Sequence, residues 1–120
     1  EEFRRNVVLR KLKNSEITRA FKIVGDSSIS TAANNIIGFP TETRELIFDT
    51  IELNREVAQD VDSVSCFIFS PYHGVPLRDI SVEKGYLSPN KLADTNSFAT
   101  SILKMPGLSN KTLRGLQHTF

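Results

Sequence analysis

The chain has 120 residues and a mass of 13.4 kDa, the size of one domain, which excludes a multidomain machine. Fifteen Lys and Arg against fourteen Asp and Glu leave a net charge of +1. That excludes attachment to nucleic acid or to a membrane surface by bulk charge, and equally an acidic tail. Cys66 is the only cysteine, so no internal disulfide and no multi-cysteine metal site can form within these residues. A reducing, cytoplasmic setting is the expectation. No run approaches the roughly 18 apolar residues of a membrane span. Glu1-Glu2-Phe3-Arg4-Arg5 lacks the apolar stretch of a signal peptide, and no Met stands at position 1, so a fragment or a processed product is expected.

In chain order, residues 1–13 are charged, with apolar positions at Phe3, Val7, Val8 and Leu12, and predict a helix or helical turn. Asn14 or Ser15 can cap a second helix with Ile17, Ala20, Phe21 and Val24 on one face, and Gly25 suits its left-handed end. Ile29 to Ile37 reads as a strand with Thr31, Ala33, Asn35 and Ile37 on one side and Ser30, Ala32, Asn34 and Ile36 on the other. Gly38-Phe39-Pro40 ends it, and Thr41-Glu42-Thr43 opens the clearest helix. Either Thr can serve as the cap, and Glu42 and Glu45 favour the positive end of the helix dipole. The stripe of that helix is Leu46, Ile47, Thr50, Ile51, Asn54 and Val57, with Leu53 at its margin.

Val64 to Phe69 predicts a second strand, broken by the Ser70–Pro76 loop. Leu77 to Lys84 predicts a short helix closed by Gly85. Leu92 to Leu103, including Phe98, is expected to be helical, and Met105-Pro106-Gly107 breaks it. Ser109 caps a last helix carrying Leu113 and Leu116. Strand, helix and strand joined by short connections argue a right-handed βαβ unit with a parallel sheet, hence an α/β fold. Parallel strands require cover on both faces and neighbours beside them, so two strands suggest part of something larger.

Ligands in α/β folds gather at the carboxyl ends of parallel strands, which directs attention to the Gly38–Glu42 turn and the Ser70–Pro76 loop. The plainer reading of the first is mechanical: Gly38 makes the turn, Pro40 fixes it and Glu42 serves the dipole. Asn35-Ile36-Ile37-Gly38-Phe39-Pro40-Thr41-Glu42-Thr43 resembles the fifth-strand segment of radical S-adenosylmethionine enzymes, whose usual form is Ile-Gly-Phe/Leu-Pro-Gly-Glu-Thr. Thr50-Ile51-Glu52-Leu53 is similar to the helix that follows. Phe69-Ser70-Pro71-Tyr72-His73-Gly74-Val75-Pro76-Leu77 is similar to the sixth-strand Pro-Tyr-x-Gly-Thr-x-Leu loop, continued by Val82 to Leu87. The tail from Ser101 to Ser109 resembles the branch of the family that carries an upstream cobalamin-binding domain.

The resemblance implies the C-terminal part of a partial (β/α)₆ TIM-like barrel over residues 1–88 and a helical tail over 89–120. In such enzymes S-adenosylmethionine and a 4Fe-4S cluster meet at the strand ends, for radical or methyl-transfer chemistry on a small molecule. Carried onto this chain, Asn34 or Asn35, Ile36 and Gly38 would line the adenosine, and Phe69, Ser70 and Tyr72 would approach the adenine. The family's three cluster cysteines and its Gly-Glu segment have no counterpart here, Thr41 replaces a glycine, and Val75 replaces a threonine. The implied chain supplies a wall and not the cluster, and is catalytically silent alone. The alternative is a non-catalytic interaction module derived from such a barrel. Exposed sheet edges make self-association the expectation in either case, with no nucleic-acid partner.

The other candidates have bland explanations. Cys66 with His73 and Asp62 or Asp79 could form a thiol-hydrolase set, but a cysteine within Val-Ser-Cys-Phe-Ile-Phe reads as a small buried hydrophobe. His73 and His118 read as solvated side chains. Arg4, Arg5, Arg10, Lys11 and Lys13 read as a solvated basic helix face.

Overall fold

The computed structural model describes residues 1–93 and 100–120. In chain order the elements are α1 (Glu2–Asn6), α2 (Asn14–Gly25), β1 (Ala32–Ile37), α3 (Arg44–Glu56), β2 (Ser63–Ile68), α4 (Pro76–Glu83) and α5 (Asn110–Gln117). β1 and β2 pair in parallel, with Ala33 opposite Val64, Asn35 opposite Cys66 and Ile37 opposite Ile68. The fold is therefore mixed α/β, with a two-stranded parallel sheet and five helices among the described residues.

The alternation expected of β1 is present. Ala33 and Ile37 are buried on the side of α3, while Ala32, Asn34 and Ile36 are exposed on the other. Ile37 and Ile68 meet Ile47 and Ile51 of α3 in the centre of the core. Leu103, Met105, Leu108, Leu113 and Leu116 join the same cluster, so the tail packs into the core of the strand–helix unit. α3 starts at its Thr43 cap, whose Oγ1 accepts from Leu46 N at 3.4 Å. α5 starts at Ser109, whose Oγ accepts from Thr112 N at 3.1 Å. Pro76 opens α4, where its missing N–H is no loss, and Gly85 follows the helix at φ +72°.

Several local expectations need correction. Only Glu2–Asn6 of the first thirteen residues is helical. α2 is capped neither by Asn14 nor by Ser15: the Glu16 carboxylate accepts from Lys13 N at 2.7 Å, and the Glu1 carboxylate accepts from Asn14 N at 3.0 Å. Gly25 is the last helical residue and has no left-handed conformation. A Cβ there would lie 2.9 Å from the Asp60 backbone, so close packing explains the glycine. The first strand begins at Ala32, three residues later than expected, because the Asp62 carboxylate accepts from Thr31 N at 2.6 Å and fixes a turn-like start. Between Leu92 and Leu103, positions 91–93 and 100–103 are not helical, and Phe98 lies outside the described residues. Met105 and Leu108 form an antiparallel bridge across Pro106-Gly107.

Candidate functional site

Parallel pairing puts both strand ends at one edge of the molecule. Phe69 N donates to Ile37 O at 2.8 Å, and the Phe39 and Phe69 rings lie 5.0 Å apart just beyond the strands. Phe3 of α1 approaches Phe39 at 6.5 Å and partly roofs this edge. The two turns indicated by the sequence are therefore neighbours.

The turn after β1 is built around Glu42. Its carboxylate folds back to accept from Gly38 N at 2.6 Å and Phe39 N at 3.1 Å, and it is buried. Its role is thus to satisfy two turn amides and not to complement the dipole of α3. Burial raises its pKa from the ordinary 4.5 to about 7, against the opposing effect of the two amide donors. Gly38 takes φ +83°, and a Cβ there would sit 3.3 Å from Leu113 of α5. Thr41, standing where the resemblance has glycine, takes φ +68°. A β-branched residue occupies that left-handed region at a cost of about 1–2 kcal/mol. The bend after β1 thus has the backbone a glycine would favour, held by a residue that resists it.

The turn after β2 is held by Arg78. This buried guanidinium donates to Pro71 O at 2.8 Å, Pro89 O at 3.0 Å and Lys91 O at 2.7 Å. It ties the Ser70–Val75 loop to the segment after α4. Sequence reasoning passed over Arg78. Its only local signal is a cation on the otherwise apolar face made by Leu77 and Ser81.

The structure separates the proposed binding residues into groups. Asn34 and Ile36 are exposed on the face of the sheet away from α3. Asn35 points to the other face and is engaged: its amide and that of Asn54 exchange two hydrogen bonds, each 2.9 Å. Gly38 and Phe69 are buried, the first under Leu113 and the second against Phe39. Ser70 is half-buried and Tyr72 exposed, both in the loop. A groove of about 590 Å³ brings Asn34, Asn35, Ile36 and Phe69 together but excludes Gly38, Ser70 and Tyr72. Accessible groups that could touch a nucleoside at the strand ends are therefore Asn34, Ile36, Ser70 and Tyr72.

Cys66 is half-buried, and its thiol is pushed up to about 12 by burial and by the nearby Glu42 charge. A thiol so placed holds almost no thiolate at neutral pH, which fits the hydrophobe and not the nucleophile. His73 and His118 are exposed. No three side chains of His, Cys, Asp or Glu converge among the described residues. One cysteine and no such cluster do not fit an iron–sulfur group. Arg4 departs from the solvated reading: it is half-buried and donates to Leu12 O at 2.8 Å and Asn14 Oδ1 at 2.7 Å. Arg5, Arg10, Lys11 and Lys13 are exposed, the last three outside any helix. No described helix is long and apolar enough to cross a membrane. No protein-family model matches the chain, and neither a curated protein nor a solved structure is measurably similar to it.

Proposed function

We propose that the chain is the C-terminal strand–helix portion of a radical S-adenosylmethionine barrel, forming the adenosine side of a chamber whose cluster is held by other residues. The observation that carries this reading is the conformation of Thr41. The family's turn needs a glycine there, and this chain adopts a glycine's backbone geometry without having one. The parallel neighbour at the same edge, with the Ser70–Val75 loop beside the Gly38–Thr43 turn, gives further support.

In this reading Asn34 and Ile36 face the sugar and base from β1, and Ser70 and Tyr72 approach the base from the loop. Asn35, Gly38 and Phe69 support them from within, as a β1–α3 amide pair, a turn and a packing residue. Reductive cleavage of the sulfonium belongs to the cluster-bearing part; a cobalamin domain, if it belongs to the same protein, lies there too. The chain alone performs no step. The single, high-pKa thiol suits a reducing cytoplasm.

Titration of the isolated chain with adenosine, followed by amide chemical shifts, tests the reading. Weak, millimolar changes confined to Asn34, Ile36, Ser70, Tyr72 and their neighbours are expected. Changes elsewhere, or none at about 10 mM, would sink it. Anaerobic reconstitution with iron and sulfide should give no cluster absorbance; its appearance would refute the division of labour.

A further inference from the structure

The two outer edges of the sheet differ. Ile37 O accepts from Phe69 N and Thr31 O from Ser63 N, so the odd-numbered residues of this strand bond to β2. Strand geometry then turns the N–H and C=O of Ala32, Asn34 and Ile36 toward the opposite, free edge. On β2 the outward groups belong to Val64, Cys66 and Ile68. There α5 closes the edge: Gln117 Nε2 donates to Cys66 O at 2.7 Å.

The free edge of β1 opens into the 590 Å³ groove and not into bulk solvent. The far wall of the groove is α2, through Ile17 and Phe21. α2 is strongly amphipathic yet has no buried residue, so its apolar stripe is uncovered by this chain. A twelve-residue helix gains most of its stability from covering such a stripe. The edge also carries none of the usual guards against pairing. Ala-Ala-Asn-Asn-Ile-Ile contains no Lys, no Pro and no bulge.

We infer that the groove between β1 and α2 receives one extended polypeptide segment from outside residues 1–120, which adds a strand to β1 and covers α2 with its alternate apolar side chains. The edge between Ala32 and Ile36 is about 13 Å long, enough for four or five residues of such a strand. The main chain of the guest completes the ladder, and Ile17 and Phe21 select apolar residues on the side facing the helix. A second copy of this chain is a poor guest. Its β1 is flanked by its own α2 and α3, and the groove is walled on both sides by α2 and α3. The inference stands apart from the nucleoside reading, since a strand docks here with or without a ligand at the strand ends.

The probe is a synthetic peptide, acetyl-Lys-Ser-Val-Ser-Val-Phe-Ile-Lys-amide, patterned on β2, which already pairs with β1 in parallel. Hydrogen exchange of the isolated chain is read with and without it. With peptide, the Ala32, Asn34 and Ile36 amides should slow by about tenfold or more, while those of Ala33, Asn35 and Ile37 start slow and change little. Asn34→Pro removes one outward donor and leaves the β2 ladder intact, and should weaken the peptide at least about tenfold. Phe21→Asp, on a half-buried helix position, should weaken it similarly while the thermal transition is kept. Three outcomes overturn the inference: no slowing at about 1 mM peptide, outward amides already slow without it, or slowing that tracks protein concentration in its absence, which would put a second copy in the groove. None of these readouts involves adenosine, so failure here leaves the nucleoside titration to be judged separately.

Discussion

The two strand-to-helix turns lie side by side and are held by opposite means. After β1, a buried carboxylate accepts from two turn amides; after β2, a buried guanidinium donates to three carbonyls. The first device is local, spanning four residues from Gly38 to Glu42. The second joins segments up to thirteen residues apart, from Arg78 to Lys91. A local anchor fixes the shape of one bend, whereas a distant one fixes a loop relative to the rest of the fold. The first bend can therefore be strained, at Thr41, without moving its neighbours. The second leaves Tyr72 and His73 exposed while its base stays pinned.

The comparison can be broken most severely at Arg78. Arg78→Ala leaves three carbonyls without their charged donor and should cost about 4 kcal/mol in urea unfolding. Amide exchange should accelerate in residues 71–75 and 88–91 well before it does in the turn after β1. Equal acceleration in both turns would show that they are one unit.

Glu42 gives the next effect, with a definite sign. Its folded pKa of about 7 lies above the ordinary 4.5, so between those values the folded chain holds a proton that the unfolded chain has lost. Its contribution is complete below about pH 4.5 and declines as pH rises through 7. The decline amounts to at most about 3 kcal/mol. Glu42→Gln keeps an acceptor oxygen for Gly38 and Phe39 and removes the titration. The stability of the parent relative to this variant should fall between pH 5 and pH 8, measured by urea midpoints. A parallel pH dependence in the two proteins would remove Glu42 from the account.

The smallest effect sharpens the contrast. Thr41→Gly relieves a left-handed β-branched residue and adds freedom to the unfolded chain, for a net stabilisation of about 0.5–1 kcal/mol. Calorimetry should show a rise of a few degrees in Tm. A loss of stability would mean that the threonine side chain makes a compensating contact.

Much of this fold was legible from spacing alone. The stripe of α3, the caps at Thr43 and Ser109, the stop at Gly85 and the alternation of β1 each depend on residues two to four apart, and such neighbours are set by backbone geometry. The site was legible only in outline. The two turns were found, but not that Asn35 would be occupied by Asn54, nor that Phe69 and Gly38 would be buried, since those partners lie 19, 30 and 75 residues away. Gly25 was read correctly as a helix end and for the wrong reason, because the approach of Asp60 leaves no trace in local sequence.

By itself the sequence determined where helices begin, which face of each is apolar, and which two bends follow the strands, since these follow from short-range sterics and hydrogen bonding. Tertiary structure alone decided which sheet edge is closed and which is open. The closing contact joins Gln117 to Cys66 across 51 residues, and an unpaired ladder becomes a groove only when a distant helix stands opposite it.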